Sequence, residues 1–276
     1  MTMNNLLDQI AAIVDLVREK HPLVHHLTNA VTVNDCANVT LAIGAAPVMA
    51  PCALESADMA AIASAVVINI GTPDETSAEA MTRAAASANA KGIPVLLDPV
   101  GVGATPFRTE LIEHLVSHAH FDVIRGNLAE LATMAGEAAQ VRGVDSGATA
   151  AEPATVAKAV AQKYGCVAAI TGAVDHVSDG TQVIALHNGD AMLSRVTGTG
   201  CMASSLCASC VGAAPDQKLL AVAAGISVMS VAGELAKAAL RPGQGTSTFH
   251  TNLIDAISLM DSRTLRENLK GNCKPL

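Results

Sequence analysis

The chain has 276 residues and a formal net charge of −8, with 50% hydrophobic and only 15% charged residues. That is enough apolar material for one large α/β domain or two small ones with a substantial buried core. The acidic balance disfavours a nucleic-acid or anionic-membrane partner, and a chain with no Trp, one Tyr and three Phe offers no stacking platform for single-stranded nucleic acid.

Leu6, Ile10, Val14 and Val17 recur at helical spacing, which predicts an amphipathic helix over 4–20. Its alternation of charged and apolar residues is not that of a secretory leader. His21-Pro22 breaks the helix, and 23–27 reads as a short buried strand leaving through Thr28-Asn29-Ala30-Val31. His25 and His26 are neighbours on that strand, so they point to opposite faces and do not share a metal. Thr32-x-x-Asp35 reads as a capping-box start for a helix reaching Ile43, stopped by Gly44. Val48-Met49-Ala50 is another short apolar run. Helix 57–65, strand 66–70, helix 77–91 and strand 93–97 follow, the last strand running into Asp98-Pro99-Val100-Gly101.

A helix over 109–118 and a strand at 123–124 lead into Arg125-Gly126-Asn127-Leu128-Ala129-Glu130. The Gly, Ser and Ala-rich stretch 143–151 reads as a loop. Helix 154–164 and strand 167–171 precede a hairpin across Ser178-Asp179-Gly180-Thr181. Val196-Thr197-Gly198-Thr199-Gly200-Cys201 reads as a tight turn opening a helix, with Thr199 as N-cap and Cys201 in the first turn. Such a start offers free N–H groups to an anion and lowers a thiol pKa. Ala-rich helices follow, and 219–240, the most membrane-like run, carries Glu234 and Lys237 and reads as a buried helix. A last helix is expected over 249–260.

Apolar strands separated by helices predict a mostly parallel sheet covered on both faces, in a single domain. In such sheets ligands bind outside the carboxyl ends of the strands. Asn29, Gly71-Thr72, Asp98, Arg125, Glu130, Thr171 and the Gly198 loop all fall there. Asp98 and Glu130 together suit a Mg²⁺ ion held mainly through water and nucleotide phosphates. No P-loop and no Rossmann GxGxxG stands in the chain, which disfavours those nucleotide-binding classes. Cys207-x-x-Cys210 lies two turns inside its helix and reads as packing rather than a redox or zinc site. Seven cysteines, an odd count, suit a reducing cytoplasm.

These motifs resemble the hydroxyethylthiazole kinase family, of ribokinase-like fold, over nearly the whole length. The resemblance rests on Pro22-Leu23-Val24-His25-x-Leu27-Thr28-Asn29-x-Val31-Thr32-x-Asn34, Gly44-Ala45-x-Pro47-x-Met49-Ala50 and Ile68-Asn69-Ile70-Gly71-Thr72. It continues through Asp98-Pro99-Val100-Gly101, Ile124-Arg125-Gly126-Asn127-x-x-Glu130, Thr171-Gly172-x-x-Asp175 and Thr197-Gly198-Thr199-Gly200-Cys201. The closing Cys is informative, since sugar and pyrimidine kinases of this fold look to carry Asp there. Pro242-Gly243-Gln244-Gly245-Thr246 departs from the family's Gly-Pro-Gly-Ser-Phe pattern.

The resemblance implies transfer of the ATP γ-phosphoryl group to 4-methyl-5-(2-hydroxyethyl)thiazole, a thiamine-salvage step, by a homotrimer with sites between subunits. It implies ATP contacts at Arg125 and Thr171, thiazole contacts at Met49 and Gly198 with Asn29 and Val31 nearby, and Cys201 in the place of a catalytic base. The alternatives are a kinase for another small alcohol, pyrimidine or pyridoxal; an ATP-dependent lyase repairing hydrated nicotinamide cofactors; and a silent small-molecule binding module.

Overall fold

The computed structural model describes residues 3–136 and 152–275; the predicted loop at 143–151 lies outside them. The first half alternates helix and strand: α1 (Met3–Lys20), β1 (Leu23–Leu27), α2 (Val33–Ile43), β2 (Ala46–Val48), α3 (Ser56–Ile62), β3 (Ala65–Asn69), α4 (Glu75–Ala90) and β4 (Val95–Asp98). It continues with α5 (Pro106–His118), β5 (Val123–Asn127), α6 (Leu128–Ala135), α7 (Pro153–Tyr164), β6 (Val167–Thr171), β7 (Asp175–Ser178) and β8 (Gln182–Leu186). The chain closes with α8 (Thr199–Ala213), α9 (Lys218–Ala238), α10 (Thr246–Ser258), α11 (Ser262–Asn268) and β9 (Gly271–Pro275).

The nine strands form one sheet in the order β2-β1-β3-β4-β5-β6-β7-β8-β9. Pairs from β2 to β6 are parallel, and β7, β8 and β9 add an antiparallel edge. Period-two alternation divides the apolar strand residues between two cores although every position reads hydrophobic. Val67, Leu96, Val123 and Ala169 face α1, α2, α8, α9 and α10. Val66, Ile68, Val95, Leu97, Ile124 and Ile170 face α3 to α7. Both faces are therefore covered, as continuous apolar strands require. His25 bonds the Ala50 carbonyl at 2.9 Å, while His26 bonds Ser205 Oγ on α8 at 3.2 Å, so the two rings do lie on opposite faces.

Several local expectations are corrected. Thr32 precedes α2, but its side chain makes no cap bond; its hydroxyl donates instead to Asn29 Oδ1 at 3.1 Å. Capping boxes form at Asp74/Ser77 and at Asn127/Glu130. Helices begin or end a few residues away from the predicted bounds. α11 and β9 follow the helix expected to be last: β9 is an edge strand containing Lys and Pro, which suit an edge but hide the strand pattern.

α8 and α9 are almost wholly buried and rich in Ala, Ser, Gly and Cys. α9, with the residues just before it, is long and apolar enough to cross a membrane, yet most of it is covered by the rest of the fold, which agrees with a core helix. Small side chains let the two helices pack closely. A Cβ at Gly225 of α9 would lie 2.5 Å from both the N and Cα of Cys207 on α8. Lys20 closes the far end of α8, donating from Nζ to the Ala213 carbonyl at 2.7 Å, where a cation complements the helix dipole.

This contact yields a test. Gly→Ala inside a helix ordinarily favours the helix by about 1 kcal/mol. At Gly225 the new methyl meets backbone, which cannot rotate away, and overpacking typically costs about 1–3 kcal/mol or more. Gly225→Ala should therefore lower the urea midpoint. A raised midpoint would show that α8 and α9 can separate freely.

Candidate active site

The same alternation that sorts the core also places the site. Asn69, Asp98, Arg125 and Thr171 are each two residues beyond a strand residue facing α8: Val67, Leu96, Val123 and Ala169. Their side chains thus emerge on the α8 face at the carboxyl ends of four adjacent strands. Parallel register sets Asn69 opposite Asp98 and Arg125 opposite Ala169. All of these except Thr171 are buried.

α8 begins on top of them. Its N-cap is Gly198, at φ +83, not Thr199 as expected. The Thr199 hydroxyl donates to the Leu193 carbonyl at 3.0 Å and caps nothing. The first intrahelical bond runs from Met202 N to Gly198 O at 2.8 Å. The N–H groups of Thr199, Gly200 and Cys201 are those a helix start leaves without an intrahelical acceptor. Gly198 suits its place twice: its φ is left-handed, and a Cβ there would stand 2.4 Å from Thr32 Cγ2. At Gly200 a Cβ would stand 2.8 Å from Arg125 Nη1.

Cys201 Sγ accepts hydrogen bonds from Asn29 Nδ2 at 3.3 Å and Asn69 Nδ2 at 3.2 Å. Asp98 Oδ2 accepts from Asn69 Nδ2 at 2.8 Å and from Ser204 Oγ at 2.8 Å, while Oδ1 is buried without a partner. Burial pushes the Asp98 carboxyl above the usual carboxylate range and nearby Glu130 adds to this, against the pull of Arg125. The Cys201 thiol is also raised, by burial and then by the Asp98 charge. The expected lowering by the helix start is corrected, because desolvation of a thiolate outweighs a partial dipole charge here.

Arg125 donates from Nη2 to the Thr171 hydroxyl, and its Nη1 lies 3.7 Å from Asp98 Oδ2. Beside it opens a cavity of about 530 Å³, lined by Arg125, Thr171, Asp175, Thr199, Gly200 and Ile226 among others. Glu130 sits at the third position of α6: Oε2 accepts from Asn127 N at 2.8 Å and Oε1 from Gly101 N at 3.0 Å. Among the described residues, no three His, Cys, Asp or Glu side chains gather as a metal cluster.

The structure thus brings together Asn29, Asp98, Arg125, Thr171, Gly198 and Cys201. Glu130 stands alongside, tied to the loop after β4. Met49 follows β2, two strands from Asn69 in the sheet order, and is half-buried; Val31 is 64% exposed. Sequence reasoning did not assign Asn69, Ser204 or Arg108. Arg108 donates to the carbonyls of Val100 at 2.7 Å and Gly71 at 2.9 Å, joining the loops after β3 and β4. Asn69 was findable: it is the polar residue within the apolar run Val66-Val67-Ile68-Asn69-Ile70. Arg108 carried no such signal.

A mostly parallel sheet with polar strand ends, a glycine-opened helix above them and a cavity alongside place the chain among ribokinase-like proteins. The sequence pattern of the Hydroxyethylthiazole kinase family matches residues 14–263. The chain is 47% identical to the hydroxyethylthiazole kinase of Ruminiclostridium cellulolyticum over 98% of this chain and 99% of that one. It is 47% identical to that of Methanocella arvoryzae over 95% of this chain and 97% of that one. The solved structure of the Pyrococcus horikoshii hydroxyethylthiazole kinase superposes with TM-score 0.85 at 37% identity, covering 96% and 98% of the two chains. The chain belongs to the hydroxyethylthiazole kinase family.

The raised thiol has a measurable consequence. A group whose pKa lies above its ordinary value forms its anion only at higher pH. Alkylation of Cys201 by iodoacetamide, followed by peptide mass spectrometry, should rise with pH only above the range near 8.5 where a free thiol titrates. A midpoint below that range would show that the helix start, not burial, governs this sulfur.

Proposed function

We propose that the cleft under the start of α8 is where this chain, an ATP-dependent hydroxyethylthiazole kinase, transfers the γ-phosphoryl group to the hydroxyethyl arm of the thiazole. The observation that carries the reading is the meeting of three anion-binding features. These are the open N–H groups of Thr199, Gly200 and Cys201, the Arg125 guanidinium against Gly200, and the cavity that both adjoin. ATP occupies this cavity in the proposal, with Arg125 and Thr171 as its contacts. The buried guanidinium has an unpartnered Nε and so retains donor capacity for a phosphate.

Phosphoryl transfer needs alignment and neutralisation more than covalent chemistry. The helix-start amides meet the charge that gathers on the moving group, and each such donor is typically worth about 10²–10³ in rate. Met49, Gly198, Asn29 and Val31 bind the thiazole. Cys201 faces the alcohol with its proton on, so it orients the acceptor and contributes little as a base; general-base help is otherwise about 10²–10⁴. A loose transition state tolerates this, because the alcohol proton departs late.

Asp98 and Glu130 fit Mg²⁺. Asp98 Oδ1 is a buried acceptor with no partner, and each Glu130 oxygen keeps a lone pair beyond its backbone bond. When bound there, Mg²⁺ would neutralise phosphate charge, with water and phosphate oxygens completing its ligand set.

The chain acts as a single kinase domain in this reading, supported by one sheet that joins β2 to β9 across both halves. It works as a homotrimer. The exposure of Val31, at 64%, supports a thiazole side that a second copy completes. Six free cysteines among the described residues suit a cytoplasmic location.

An ADP-release assay comparing hydroxyethylthiazole, pyridoxal and hydroxymethylpyrimidine tests the reading; the thiazole alcohol should have the highest kcat/KM, and a preference for either competitor would overturn it. Met49→Ala should raise the KM for the thiazole about tenfold, the scale of one lost apolar contact in a pocket, with the KM for ATP unchanged. Equal rises in both would remove Met49 from the thiazole side.

Glu130→Gln keeps a capping-box residue at its helix position but removes the charge. It should raise the Mg²⁺ concentration giving half-maximal rate. An unchanged titration would take Glu130 out of the metal site.

A further inference from the structure

Asn69 is buried, and its amide has every polar position filled. Nδ2 donates to Asp98 Oδ2 at 2.8 Å and to Cys201 Sγ at 3.2 Å. Oδ1 accepts from Asn29 Nδ2 at 3.0 Å and from Gly71 N at 2.9 Å. A primary amide has two N–H donors and two acceptor lone pairs, so the count closes. The partners also dictate which way the amide points. Reversed, its oxygen would face a carboxylate and a sulfur, and its NH₂ would face two N–H donors.

The fold makes this arrangement available in one place. Asn69 and Asp98 are register partners on β3 and β4, so their side chains rise side by side. Cys201 comes down from the first turn of α8. Asp98 and the thiol sulfur are both acceptors towards Asn69, and among the described residues no hydrogen bond joins them directly. Asp98 is buried and Cys201 half-buried, and a donor standing between two such acceptors satisfies both.

We infer that Asn69 is a positioning residue for phosphoryl transfer, its amide fixing the Cys201 thiol on the alcohol side against the Asp98 carboxylate on the phosphate side. The inference rests on the reading above for what those two groups face. Its effect is geometric: displacement of a reacting group by about 1 Å can cost on the order of 10² in rate.

Two variants of the full chain separate donation from space filling. Asn69→Ala should lower kcat with hydroxyethylthiazole by about 10–100-fold, with the KM for ATP within about twofold. Asn69→Leu fills much the same space but offers no donor, and should be no more active than Asn69→Ala. If Asn69→Leu were clearly the more active, volume rather than donation would be the function and the inference would fall. The Asn69→Ala effect should also shrink at least about fivefold in a Cys201→Ala background, as groups acting together are non-additive. The same factor in both backgrounds would mean that the amide does not act through the thiol. Should Asn69→Ala not fold, Asn69→Leu, which fills the space without a donor, takes its place in the cycle.

A crystal structure of the variant reads the inference without turnover: the Cys201 sulfur should move relative to the Asp98 carboxylate, and an unmoved pair would overturn the assignment. A wild-type chain inactive on the thiazole alcohol would count against the functional reading alone, and the crystallographic comparison would then decide the role of Asn69.

Discussion

The site depends on how closely the start of α8 can approach the sheet. At Gly200 there is no room for a Cβ, because the Arg125 guanidinium already fills that space. At Gly198 the backbone is left-handed and the neighbouring Thr32 side chain leaves no room either. One glycine admits a cation to the helix start, and the other sets the angle at which the chain enters the helix. The approach is held from far away. Gly225 lets α9 press on the middle of α8, and Lys20 ties the Ala213 carbonyl at the C-terminal end of α8 to α1. A loosened helix pair in the core would thus be felt at the open amides, although Gly225, Cys207 and Lys20 do not themselves line the cavity.

The charges near these amides are arranged for a ligand more than for stability. Asp98 is fully buried and Arg125 nearly so, yet their nearest atoms stay 3.7 Å apart. A pair selected to close on itself would use the bidentate geometry open to arginine and carboxylate. Here Asp98 Oδ1 and Arg125 Nε are left without partners. An unsatisfied buried polar atom costs roughly 1–3 kcal/mol, and buried ion pairs are weak stabilisers even when well made. The protein tolerates that cost at the strand ends, where a nucleotide phosphate or a cation would supply the missing partners.

Much of this was legible in the chain. Uninterrupted apolar strands between helices indicate a mostly parallel sheet, and the strand-end rule gathers Asn29, Asp98, Arg125 and Thr171 from the sequence alone. Two of the failures share a cause: each turned on where one polar group finds its partner. Thr199 looks like an N-cap, but the turn sends its hydroxyl to Leu193. Thr32 looks like a capping-box residue, but Asn29 takes its hydroxyl. β9 carries Lys and Pro at an edge, where an apolar pattern is unnecessary. Local propensity ranks such options, and tertiary contacts choose among them.

Cys201 shows the same competition in energetic form. A first-turn position favours the thiolate by a fraction of a unit charge, whereas removing the thiolate from water beside Asp98 opposes it more strongly. Two asparagine amides point at the sulfur and soften that opposition without reversing its direction. The family resemblance implies that related kinases place an aspartate here. In this cleft an aspartate would add a further carboxylate to one already raised by burial and by Glu130. A neutral thiol accepts the Asn29 and Asn69 donors without that repulsion. In the proposed reading it can occupy the position because a loose phosphoryl transfer asks little of a base, while the alignment assigned to the amides and the asparagines does not depend on its charge.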